Sequence, residues 1–303
     1  MKIDKERAER AFRAYVAAYD PTDPKIALKI DHTFRVAALA ERIARSLVPS
    51  GRSGDPAGRA AGAPCVPAEA ASASVPAAAP ASDGPAYVAC DEDVDLAWLL
   101  GLLHDIGRFE QVRRWGTFDD GKSVGHAQLG MQILFAGAEG DAPLIRSFVA
   151  SDAEDDLIRM AVGLHSTWRL PADLDGRTRC FCEVLRDADK VDILKVNGID
   201  SVESIYGISE QELLDSPLSS EALSWFDRHS TIPRDARRYP ADVLLGHVCF
   251  AWELAYPESR RILVEQGYVF QMMERPFTRP ETRAAFARRE EDLKAWLADQ
   301  GAL

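Results

Sequence analysis

The sequence predicts an all-α protein. Apolar residues recur at helical spacing in one segment after another, and no stretch keeps the period-2 alternation of a half-buried strand. Proline- and glycine-bearing breaks separate the periodic runs. Hydrophobic residues make up 47% of the 303 residues, enough for a sizeable core in one large domain or two smaller ones.

Residues 4–19 read as the first helix, with Ala11, Phe12, Tyr15, Val16 and Tyr19 on one face. AspProThrAspPro at 20–24 breaks it, and a longer helix runs on to about Leu47. There Leu28, His32, Val36, Leu39, Ile43 and Leu47 form one stripe, which turns His32 toward the core. Residues 49–90 differ in kind: Ala, Pro, Gly and Ser dominate. Such a segment buries too little apolar area to offset its ordering entropy, so a disordered insertion between two core helices is expected. The fold tolerates it because closure entropy grows slowly with loop length.

From Asp91 the string AspGluAspValAsp supplies an N-cap and an acidic first turn. A helix then runs to His104 and Asp105, with Gly107 expected to loosen its end. The polar stretch Arg113 to Gly125, which contains ThrPheAspAspGlyLysSer, reads as a surface loop near His104 and Asp105. Helical spacing resumes through His126, Leu129, Gly130, Ile133 and Leu134, then through Leu157, Ile158, Ala161, Val162 and His165. It returns at Phe181, Val184, Leu185 and Ala188, ending near Val196, and covers much of 240–303.

The formal charge is −12. An acidic chain is a poor partner for a nucleic-acid duplex, whose binding relies on Lys and Arg neutralising phosphates. A small phosphorylated substrate stays compatible, because a bound metal reverses the local sign of charge. The five cysteines (Cys65, Cys90, Cys180, Cys182, Cys249) are odd in number and contain no CxxC, which fits a reducing cytoplasm. Cys180 and Cys182 are half of a zinc pattern with no second half. The charged N-terminus has no apolar core of a signal peptide, and the run Leu96 to Leu103 is far too short to span a bilayer. A soluble cytoplasmic protein without a membrane partner is expected.

The most informative string is LeuLeuGlyLeuLeuHisAspIleGlyArg at 99–108. His32, His104, His126 and His165 all lie on apolar helix faces or at the ends of apolar helices, and Asp105 adjoins one of them. A single such histidine is ordinarily a packed core residue. Four of them with core-facing aspartates are costly to bury without a partner, and a divalent cation is the natural one. Imidazole and carboxylate donors suit iron, manganese, zinc, cobalt or nickel alike, and the absence of thiolate from the set favours a catalytic site with open positions. On the helix after residue 180, spacing leaves Asp187, Asp189 and Asp192 all open as the contributing carboxylate.

His32 in IleAspHisThrPheArgVal, HisAsp at 104–105 and AlaAspLys at 188–190 resemble the HD superfamily of metal-dependent phosphohydrolases. The resemblance covers roughly residues 25–200 and implies an HD-domain helical bundle with additional C-terminal helices. Residues 1–48 and 91–200 would form the bundle, and 201–303 a helical extension packed on it. It implies His32, His104, Asp105 and Asp189 as metal ligands. His126 and His165 match the two further histidines of the superfamily's dinuclear branch, so two ions are expected. The order His…HisAsp…His…His…Asp is similar to that of bacterial diadenosine tetraphosphate hydrolases and HD-GYP phosphodiesterases. The GlyTyrPro element of the latter is missing, and AspLysValAspIleLeu replaces the AspTyrIleGlu-like continuation of the former.

The resemblance implies in-line attack of a metal-activated water on phosphorus, with Asp105 bridging the ions. The expected substrate class is a phosphoester or phosphoanhydride of a nucleotide-like small molecule. Arg108 and Lys190 are candidates for holding a phosphate oxygen or stabilising the transition state, and Lys122 is a further candidate for substrate binding. An ion pair with a nearby carboxylate is the alternative role for each. Trp115 and Trp168 are expected in packing more than in a base pocket. His229 and His247 have no partner motif. Two other function classes stay open: an HD-fold di-iron oxygenase, and a catalytically silent metal-binding regulatory module.

Overall fold

A computed structural model describes residues 2–49, 87, 89–136 and 143–303. The insertion expected over 49–90 lies almost wholly outside the described residues, and so does Cys65. Fifteen α-helices and no strand occur among the described residues. They are α1 Lys5–Val16, α2 Pro24–Ser46, α3 Asp91–Leu103, α4 Ile106–Trp115, α5 His126–Phe135, α6 Ile145–Phe148, α7 Asp155–Leu164 and α8 Gly176–Ile199. The C-terminal part adds α9 Val202–Tyr206, α10 Glu210–Leu214, α11 Ser220–Phe226, α12 Pro240–Val248, α13 Pro257–Gln266, α14 Tyr268–Met273 and α15 Pro280–Asp299. No helix among the described residues is long and apolar enough to cross a membrane.

The two long helices that carry the site start on side-chain caps. Asp23 accepts from Lys25 N–H ahead of Pro24, and Asp175 accepts from both Arg177 and Thr178 N–H. Each cap contributes about 1 kcal/mol by satisfying a backbone donor the helix leaves open. Asp93 in the first turn of α3 accepts from Cys90 N–H and from the Arg177 guanidinium, tying the start of α3 to the start of α8.

α3 is apolar nearly all round: Leu99, Leu100, Leu102 and Leu103 are fully buried. It packs along α2, and α8 lies against α2, α3 and α7. Gly101 permits the α2–α3 approach, since a Cβ there would stand 2.5 Å from the Ala37 Cα. α12, α13 and α14 pack on the outer side of α8, and α13 also reaches α2. α8 is therefore enclosed on several faces, which is why so many of its charged residues are buried.

The helix expected to run to His104 and Asp105 ends there: α3 closes at Leu103 with His104 as its C-cap, Asp105 leaves the helical conformation (φ −103°, ψ 16°), and α4 starts at Ile106. Two sequence expectations need correction. Gly107 does not loosen a helix end. It sits in the first turn of α4, where a Cβ would be 2.2 Å from His126 O and 2.6 Å from Gly130 N. Its role is to let α4 pack directly on α5. α4 then runs on to Trp115, and Gly116 in the left-handed region (φ +66°) starts the loop three residues later than expected.

Candidate metal centre

The break between α3 and α4 turns Asp105 into the bundle, with His104 one residue before it. Four imidazoles converge there from four helices: His32 from α2, His104 from the end of α3, His126 from the first position of α5, and His165 from just past α7. All four rings and Asp105 are buried.

Each ring is held by Nδ1, leaving Nε2 to face the centre. His32 Nδ1 lies 2.6 Å from Asp192 Oδ2, and His126 Nδ1 lies 2.8 Å from Asp120 Oδ2. His104 and His165 have Nδ1 2.7 Å from the carbonyls of Gly101 and Val162. These acceptors have no proton to give, so in each neutral ring Nδ1 is the donor and Nε2 carries a free lone pair. Asp192 is in turn gripped by Arg35, with Nε 2.7 Å from Oδ1 and Nη2 2.9 Å from Oδ2. Arg186 bonds the carbonyls of Leu164, His165 and Thr167, fixing the turn that carries His165.

The Nε2 atoms fall into two pairs, 3.3 Å apart for His32 and His104 and 2.9 Å apart for His126 and His165. Asp105 divides its oxygens between them. Oδ2 is 3.5 Å from both His32 and His104 Nε2, while Oδ1 is 3.4 Å from His126 and 3.7 Å from His165 Nε2. Asp189 Oδ1 joins the first pair, 3.2 Å from His32 and 3.6 Å from His104 Nε2. Donors each about 2.1 Å from one ion and roughly 90–110° apart would lie roughly 3.0–3.4 Å from one another, close to this spacing. The donor set therefore fits a divalent ion in each group: His32, His104 and Asp105, and Asp105, His126 and His165.

The electrostatics differ between the halves. Burial lowers His104, but Asp105 and Asp189 more than reverse it and push its pKa up to about 10. Burial and then the Arg108 charge pull His126 down to about 4, against Asp120 and Asp105. Burial raises Asp105 and Asp189, yet both are held well below the usual carboxylate range, Asp105 chiefly by Lys29 and His104, Asp189 by His104 and His32. His126 thus offers a bare Nε2 at neutral pH, whereas His104 gives up a proton when a cation arrives.

A family model described as HD domain matches residues 30–195. The chain belongs to the HD domain family. The HD match begins two residues before His32 and ends three past Asp192, so it contains every donor described above. No curated protein and no solved structure matches the chain. Membership places this HD domain in a superfamily of metal-dependent hydrolases, and its buried His and Asp groups are able to bind a divalent metal.

Of the six expected ligands, the HD fold brings all six together. It also separates the three aspartates of α8. Asp189 faces the Nε2 atoms, and Asp192 holds His32 from behind. Asp187 points the other way and accepts from Ala255 and Tyr256 N–H at 3.1 Å each. Arg108 stands beside the centre, Nε 3.6 Å from Asp105 Oδ1, with Nη1 bonded to Gln111, the Phe118 carbonyl and Asp120. Lys190 is not brought to the cluster: its ammonium pairs with Glu253 at 2.6 Å, the ion-pair alternative. Lys122 is likewise elsewhere, its side chain 79% exposed on the loop and 3.8 Å from Asp119.

Trp115 and Trp168 are exposed, contrary to the packing role expected of them. Cys180 and Cys182 are buried free thiols on α8, which burial raises to about 11 and about 12. Sequence reasoning missed Lys29, whose Nζ is 2.5 Å from Asp105 Oδ2, and Asp120 behind His126. Lys29 precedes His32 by three residues on the same helix, a usable signal. Asp120 lies in the aperiodic loop that the sequence placed near the site, but nothing in its spacing singled it out.

Proposed function

We propose that this protein is a phosphohydrolase using two divalent ions bridged by Asp105 to cleave a phosphoester or phosphoanhydride of a nucleotide-like small molecule. The observation that carries the reading is the division of the Asp105 oxygens between two Nε2 pairs. His32, His104 and Asp189 would hold one ion, and His126 and His165 the other. Bound there, the ions would supply an activated water and positive charge for the leaving oxygen.

The chain's own groups do the rest. Asp192, Asp120 and the two carbonyls keep the four Nε2 atoms aimed at one centre, so the donors need no reorganisation. Arg108, locked by three acceptors, presents a fixed positive charge beside Asp105 to a phosphoryl oxygen.

The test is a panel of phosphomonoesters, phosphodiesters and nucleotides assayed with metal-loaded protein. The expected result is metal-dependent release of phosphate or a nucleotide by the natural chain and its loss in His104→Ala and Asp105→Ala. Equal turnover in both variants contradicts the reading. Oxygen-dependent turnover without phosphate release replaces it with di-iron oxygenation.

A further inference from the structure

Lys29 is held differently from the other cation at the centre. Its Nζ lies 2.5 Å from Asp105 Oδ2, the oxygen that also faces His32 and His104. Across the same carboxylate, Arg108 Nε stands 3.6 Å from Oδ1. Both cations lie against the Phe118 ring, Lys29 Nζ 5.3 Å and Arg108 Cζ 5.7 Å from its centroid. Arg108 is locked in place by three further acceptors. Among the described residues, Asp105 is the one hydrogen-bond acceptor of Lys29. An ammonium has three donors, so two remain for another partner.

Asp105 Oδ2 is also the oxygen that a dication at His32, His104 and Asp189 requires. A dication attracts one carboxylate oxygen more strongly than an ammonium does at the same distance. The lysine stem is flexible, and its side chain is 14% exposed. We infer that Lys29 is a second substrate-anion residue of this centre, beside Arg108. When a divalent ion takes Asp105 Oδ2, the ammonium turns to a non-bridging oxygen of the substrate's phosphoryl group, and Phe118 keeps it over the ions. The inference rests on the two-ion reading above, and no bond is made or broken by Lys29 itself.

The test is calorimetric titration of the full chain, first with manganese(II), then with inorganic phosphate on the manganese-loaded protein. Lys29→Met is expected to bind manganese as tightly as the natural chain or more tightly, because a competing cation is gone. It is expected to bind phosphate about ten- to a hundredfold more weakly, the loss of one charge-assisted hydrogen bond. Lys29→Arg should recover most of the phosphate affinity, and it keeps the comparison open if the methionine variant does not fold. Weaker manganese binding with unchanged phosphate affinity would make Lys29 a structural support of Asp105 and overturn the inference. Phosphate affinity equal in all three proteins overturns it too, while leaving the metal reading intact. No manganese bound by the natural chain overturns both.

Discussion

Asp192 Oδ2 lies 2.6 Å from His32 Nδ1, while Asp189, one turn earlier on α8, places Oδ1 3.2 Å from Nε2 of the same ring. Two carboxylates three residues apart thus address both nitrogens of one imidazole. Asp189 is on the donor side, and Asp192 sets the ring's orientation. Asp192→Asn keeps an acceptor but removes the charge and half of the Arg35 fork. Metal affinity is expected to fall about ten- to a hundredfold with the fold retained, read by titration calorimetry and circular dichroism.

Gly107 is the second structural dependency. A methyl group there would meet the backbone of His126 and Gly130, which cannot rotate away. Gly107→Ala is expected to cost about 1–3 kcal/mol in chemical denaturation and to displace His126 from its Nε2 partner. Unchanged stability and metal content would show that α4 and α5 separate without penalty.

The pH dependence has a definite sign. His104 is raised from its ordinary 6.5 to about 10 by Asp105 and Asp189 after burial is overcome. Its favourable contribution is fully present below pH 6.5 and is lost as pH rises through about 10. Chelator-treated protein should therefore lose thermal stability across that window, and a bound dication should flatten the loss by replacing the proton. His104→Gln should reduce the slope, leaving the part carried by His32, which Asp105, Asp189 and Asp192 also raise against its burial and the Lys29 charge. A Tm independent of pH between 6.5 and 10 would contradict the assignment.

Lys190 and Glu253 connect α8 to the segment between α12 and α13, and Glu253 also accepts from the Thr231 hydroxyl. Glu253→Gln leaves a buried ammonium without its counterion and is expected to destabilise the fold by roughly 3 kcal/mol. Metal content should not change, because the structure ties this pair to packing. A metal-free but stable variant would return Lys190 to the centre.

The helices that carry the donors were legible because each has an apolar stripe or a helix end at the histidine. His32, His104, His126 and His165 could be found that way, and the resemblance supplied Asp189. The α8 carboxylates could not be separated by periodicity, because a helix enclosed on several faces has no single buried side. Asp120 and Glu253 were illegible for a different reason. Each acts through tertiary contacts from an irregular or distant segment, and such contacts leave no local spacing. Gly107 was visible as a glycine but misread. Its role depends on the α5 backbone, which the sequence around it does not reveal.

Metal stoichiometry in paired variants tests the central claim most directly. Elemental analysis of protein purified without chelator should find about two divalent ions per chain. His126→Ala should retain about one, and Asp105→Ala should retain neither at full occupancy, since one carboxylate serves both groups. Asp105→Ala carrying as much metal as the natural chain, or a natural chain carrying none, would contradict the bridged centre.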